Sequence, residues 1–257
     1  MRHILAALGA AALLTAQAAA HSPYLLPNVF TTEGRDHVTV EASFTEAFFA
    51  PDVAMKSDDW NVVGPDGART GLTPVMAADL ALLEAPLATE GTYRISSGAR
   101  VGRTAKAYLK DGVWEFLEPG AQPPAGTEAV DMQSLTLADT YVTRGKPSDA
   151  ALTPRGAGLE LAPLTHPNAA AAGETLAFAV LFDGKPVAGE TVMLHRADEA
   201  YAGIAPVQAA SDAAGKAVFA PAEPGIYLAM IRHRVAPAGP GEPWRSYTAS
   251  VTFDVQP

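Results

Sequence analysis

Apolar runs of strand length, each closed by glycine, proline or another turn residue, recur along this chain, and helical periodicity is almost absent. Residues 175–182 alternate large apolar side chains, residues 183–189 (DGKPVAG) carry turn chemistry, and a further run covers 191–195. Residues 211–216 form a second turn feeding 217–219, Pro224 and Gly225 open a run at 226–231, and 247–255 is the last one. Period-two alternation broken by such turns predicts an immunoglobulin-like antiparallel sandwich over residues 159–257.

The N-terminal half follows the same rule. Residues 37–44 alternate, 60–63 end at the turn GPDG, and 91–95 form another run. Residues 104–109 and 113–116 flank Asp111 and Gly112, the chemistry of a tight hairpin. Residues 21–118 are therefore a second sandwich. Residues 119–158 begin rich in Pro, Gly and Ala and form a linker with bridging strands, in which 133–137 and 140–143 either return to the first sheet or join the two halves. The expected fold class is all-β, with two antiparallel β-sandwich domains.

Residues 1–20 stand apart. Arg2 and His3 precede an apolar run and then the small-residue stretch AQAAA, the layout of a secretory signal peptide. Cleavage after Ala18 or Ala20 satisfies the small-x-small rule, and the alternative is a retained anchor. Export predicts a periplasmic protein. The leader carries one arginine and no acid, so its removal takes the formal charge from −10 to −11.

That acidity, from 18 Lys+Arg against 28 Asp+Glu, argues against a nucleic-acid partner. Absence of cysteine excludes disulfides, thiolate metal sites and a Cys nucleophile. There is no GxSxG, SxxK, GxGxxG or P-loop signature, so neither a serine hydrolase nor a nucleotide cradle is indicated, and no catalytic residue is assigned. Trp60, Trp114, Tyr227 and Trp244 are read as core or domain-interface residues rather than a sugar platform.

Metal chemistry is what the remaining residues allow. Cleavage after Ala20 would make His21 the first residue, and its α-amine and imidazole Nδ1 can chelate one ion once both are deprotonated. Nitrogen donors of this kind suit Ni(II) and Cu(II) better than Mg(II) or Ca(II). Further ligands must come from the fold, because no two histidines have metal-motif spacing. His37 is the expected partner of His21 if the first two strands pair. His195 and His233 end neighbouring strands and are placed to meet across a sheet. His166 precedes Pro167 and Asn168 in a turn, and Asp52 lies in a loop with Asp58 and Asp59.

The succession GKPVAGETV (184–192), SDAAGKAVF (211–219) and EPGIYLAMI (223–231) resembles the immunoglobulin-like or transthyretin-like modules of exported bacterial proteins. Ala20-His21 with YLLP (24–27), then LELAPLTHPN (159–168) before Gly173-Glu174, and YTASV (247–251) are similar to the nickel-uptake substrate-specific region family, NikM-like and formerly a domain of unknown function. This resemblance implies a periplasmic accessory that assists nickel, cobalt or copper uptake, working with a membrane transport permease or an outer-membrane receptor. Members often carry a histidine where this chain reads FFAPDV (48–53), which leaves Asp52 as the local ligand. Two alternatives remain open from the residues. One is a copper monooxygenase-like enzyme using the N-terminal histidine, the other a structural or adhesive sandwich that holds no metal.

Overall fold

The computed structural model describes residues 21–257, so the predicted leader lies outside the described residues. Three sheets make up the fold of the described residues. The first contains Ser22–Pro27, His37–Thr45, Ala81–Pro86 and Val75–Met76 in that order, with Val53–Ala54 beside His37–Thr45. The third contains Leu159–Pro163, Leu176–Phe182, Lys185–Pro186 and Lys216–Phe219. Between them runs a sheet of eleven strands. The expected hairpin forms, with Lys110 opposite Val113 and both Asp111 (φ 50°) and Gly112 (φ 80°) left-handed, as a tight turn between twisted strands requires.

The long sheet is organised by one strand, Ala129–Arg144. Along one edge it pairs in parallel with the last strand, Trp244–Val255, from Met132 opposite Trp244 to Thr140 opposite Thr252. Along the other edge it pairs antiparallel with Arg100–Lys110 and then with Gly91–Ser96. Residues 133–143 thus serve both the first half of the chain and the last, and the two openings left by the sequence are both used.

Side chains alternate across a strand, so this one strand supplies two cores. Leu137 and Tyr141 pack with Phe178, Tyr227 and Phe253 under the third sheet. Ala138 and Val142 pack with Leu25, Trp60 and Leu83 under the first. Both cores therefore lie on opposite faces of the same sheet. A smaller cluster of Tyr24, Phe48, Leu228 and Met230 extends the first sheet over the outer face of the strand Gly225–Val235. There the Ser250 hydroxyl donates to the Pro23 carbonyl oxygen at 2.8 Å.

Asp139 shares the Leu137 face and is only 5% exposed. Arg155 grips it with two hydrogen bonds of 2.7 Å and donates a third to Ser96 Oγ at 2.8 Å. Burial works to raise the Asp139 carboxyl, and the adjacent Arg155 guanidinium outweighs it and holds the group below the ordinary carboxylate range. Glu160, also buried, accepts the backbone N–H groups of Arg155 and Gly156 at 2.6 and 2.7 Å. The segment entering the third sheet is thereby pinned to the shared strand.

Removing one partner of a buried ion pair strands the other. Asp139→Ala is expected to lower unfolding free energy by about 3–5 kcal/mol in urea titrations. Asp131→Ala, which removes only the exposed pair with Lys106, should stay within about 1 kcal/mol. Equal effects would show that the Asp139 pair is not a structural anchor.

Candidate functional site

The first strand runs antiparallel to His37–Thr45 with Ser22 opposite Thr45, which sets His21 beside Glu46. Its imidazole Nε2 lies 3.9 Å from Glu46 Oε1, and both side chains are about half exposed, at 44% and 56%. The turn after Glu46 is held by Asp52, whose Oδ2 accepts the Glu46 N–H at 2.7 Å while its own N–H donates to Phe44 O at 3.1 Å. Phe48 and Phe49 fold back over Tyr24, edge to face, with ring centroids 6.3 and 5.0 Å away. Tyr24 in turn donates to Glu41; burial first, and the Glu41 carboxylate second, push its hydroxyl well above the usual tyrosine range. His21, Glu46 and Asp52 thus share one corner on a buried aromatic footing.

The same register separates His21 from His37. The first two long strands do pair, but Thr45 lies opposite Ser22 while His37 lies opposite Pro86 at the far end. Nine residue steps of strand, from His37 to Glu46, put the two residues about 30 Å apart. His37 instead places Nδ1 2.8 Å from Asp36 Oδ1 in solvent. A copper brace with His37 as second imidazole has no geometry here.

His195 and His233 also fail to meet. His195 lies opposite Leu228 on the face covered by Phe48, with ring centroids 5.0 Å apart. His233 has the opposite parity and faces the third sheet, where its ring meets Phe182 at 4.9 Å and Nδ1 lies 2.6 Å from Glu190 Oε1. His166 is consumed by structure. Its Nδ1 accepts the Asn168 N–H at 3.2 Å, which leaves Nε2 as the protonated nitrogen, 3.0 Å from Thr92 Oγ1. Thr92 continues to Thr143 on the shared strand, and Asn168 Nδ2 donates to Phe30 O. The THPN segment is therefore a tie between both halves of the molecule.

Among the described residues no group of three or more His, Asp or Glu side chains is arranged to hold a metal ion. Glu46 lies just beyond the alternating 37–44 run, and only the β-register reveals that His21 is its neighbour. The Asp139–Arg155–Glu160 network left no spacing pattern to find.

What fold and corner define is an all-β protein of several largely antiparallel sheets, with an exposed histidine–carboxylate corner at His21. The chain belongs to the family described as a domain of unknown function (DUF4198), whose model matches residues 18–235. No curated protein matches it. Among solved structures it is similar to the D0-D1 domain of Intimin, at 12% identity and a TM-score of 0.23, covering 89% of this chain and 96% of that one. It is also similar to a DUF4785 family protein from Legionella pneumophila, at 13% identity and a TM-score of 0.24, over 81% and 50% of the two chains. A third likeness, to Salmonella alpha-2-macroglobulin at 14% identity and a TM-score of 0.23, covers 93% of this chain and 15% of that one.

Burial alone pushes His195 down to about 4, and its Nε2 has no hydrogen-bond partner. The unfolded chain takes up this proton near the ordinary value of 6.5, so it binds more protons than the folded one between the two values. The contribution of His195 is complete above pH 6.5 and falls away as pH drops toward 4, by up to about 3 kcal/mol. Denaturant titrations of His195→Gln across pH 4–7 should lose that slope. An unchanged slope would assign the acid sensitivity elsewhere.

Proposed function

We propose that this protein is an exported, periplasmic metal-handling accessory, related to the NikM-like nickel-uptake proteins. It takes up Ni(II), Co(II) or Cu(II) as cargo at the His21 corner and presents the ion to a transport system, either a membrane permease or an outer-membrane receptor. One observation carries the reading: His21 turns Nε2 toward Glu46. A carboxylate that hydrogen-bonds the outer nitrogen orients a ligating imidazole, and Glu46 is within reach to do so. Nδ1, the nitrogen nearer the backbone, is then left for the metal, in chelating reach of the α-amine that cleavage after Ala20 would create. Asp52 holds the Glu46 backbone in place and is a supporting residue at this corner.

A two-nitrogen chelate leaves most coordination positions of the ion open. That suits transfer, because a receiving protein can add ligands before the first ones leave. It does not suit permanent storage. The dispersal of His37, His166, His195 and His233 favours this single-corner reading over one shared multi-histidine centre.

Calorimetry with the chain beginning at His21 should give Ni(II) and Cu(II) binding in the micromolar range or tighter. Acetylating the N-terminal amine should abolish the chelate, and Glu46→Gln should weaken binding roughly ten-fold. Affinity that is unchanged by the acetylation, or by His21→Ala, would refute the proposal.

A further inference from the structure

The outer face of the long sheet continues beyond the part covered by the first sheet, and its residues line up in rows across four strands. Arg232 lies opposite Thr248, Thr248 opposite Thr136, and Thr136 opposite Arg100. Directly paired residues share a face, so this is one row of arginine, two threonines and arginine. The next row runs from Arg234 to Ser246 and Ser134. It reaches Arg100–Lys110 at the register shift between Val101 and Thr104, where a side chain at Gly102 would run into the Ser134 hydroxyl and crowd the Arg100 guanidinium. The row beyond places Trp244 opposite Met132, and Trp114 packs on Trp244 with ring centroids 4.9 Å apart. Both tryptophans are half-buried, unlike Trp60 and Tyr227, which are core residues as the sequence predicts.

This face is cationic in an acidic protein. Among the described residues Arg100, Arg232 and Arg234 have no carboxylate within ion-pair distance. Arg232 reaches only Thr248 Oγ1, from Nε at 3.3 Å, and Arg100 gives Nε to the Lys56 carbonyl and lies 5.0 Å over the Phe44 ring. Burial and then the neighbouring Arg232 charge push Arg234 down to about 10, and burial lowers Arg232 as well. Glu190 offsets this for Arg234, yet its Oε1 is engaged with His233. Arg234 Nε and Thr136 Oγ1 are buried with no hydrogen-bond partner. Buried polar atoms in folded proteins are nearly always satisfied, so unpaired ones in a row of unpaired arginines point to a missing acceptor.

We infer that this face binds an acidic saccharide, with an oxyanion held by Arg232, Arg234 and Arg100 and a sugar ring on the Trp114–Trp244 pair. Guanidinium forks donate two-pronged hydrogen bonds to carboxylate or sulfate, and three of them supply the charge that a neutral sugar does not need. The arginine backbones at the ends of the first row stand about 14 Å apart, within the span of a short oligosaccharide, and their side chains lean over the floor between. Tryptophan offers an apolar face with a polar edge, which matches the two sides of a pyranose ring. The site is independent of the metal corner and does not rest on it.

The test uses the mature chain with hexagalacturonate, a heparin hexasaccharide, neutral cellohexaose and hexaglutamate peptide, read by calorimetry and tryptophan fluorescence. An acidic hexasaccharide should bind and change the fluorescence, and cellohexaose should do neither. Binding of the galacturonate alone assigns the anion as carboxylate, and of the heparin fragment alone as sulfate; either supports the site. The double change Arg232→Gln with Arg234→Gln, and separately Trp244→Ala, should weaken binding at least ten-fold. Lys106→Gln, on the opposite face, should leave it unchanged. No binding of either acidic sugar, affinity insensitive to the arginines, or binding of hexaglutamate in place of sugars would overturn the proposal. The fluorescence of the unaltered protein decides the matter even if the double variant does not fold.

Discussion

Between Leu137 and Thr143 every residue of the shared strand is buried, because a core lies on each face of it. Parallel pairing with Trp244–Val255 joins the end of the chain to its middle, so the C-terminal hairpin cannot leave without exposing Leu137 and Tyr141. Such a strand has no solvent side on which to place polar groups. Each one it contains must therefore be matched: Asp139 by Arg155, Thr140 by the Thr252 carbonyl at 3.0 Å, Thr143 by Thr92. These pairings specify how the two halves sit on one another, since each partner comes from a different part of the chain.

This constraint explains what could be read from the sequence. Strands with one wet face show period two, and 37–44 and 175–182 were legible for that reason. From 137 to 143 the shared strand is dry on both faces, so alternation is erased there, and its parallel partner lies more than a hundred residues away. Sequence proximity carries no trace of that pairing. The histidine expectations turned on the same physics. His21 and His37 do belong to paired strands, but antiparallel register sends them to opposite ends. His195 and His233 sit on paired segments with opposite parity, so they face different cores. Glu46 and the arginine rows were invisible because register alone assembles them. Trp114 and Trp244, read as core or interface, turned out to edge an open face.

The THPN segment shows how a motif can be conspicuous without being chemical. Both nitrogens of His166 are used, and Asn168 bonds both to the Phe30 carbonyl and to Thr143 of the shared strand. The segment stands where the third sheet meets the other two, so its residue types follow from the junction they satisfy. What is left for binding lies outside that junction: a histidine–carboxylate corner at one end of the first sheet, and a cationic face on the long sheet beyond it. The two differ in charge and suit ligands of opposite sign.

The claim that the His21 corner carries the cargo ion is tested most directly by nuclear magnetic resonance of the chain beginning at His21, titrated with paramagnetic Co(II). The account predicts the largest shifts and broadening at residues 21–26 and 44–53, falling off with distance from His21, with His166 and His233 undisturbed. Paramagnetic effects centred on any other histidine, or effects spread evenly over the surface, would contradict it.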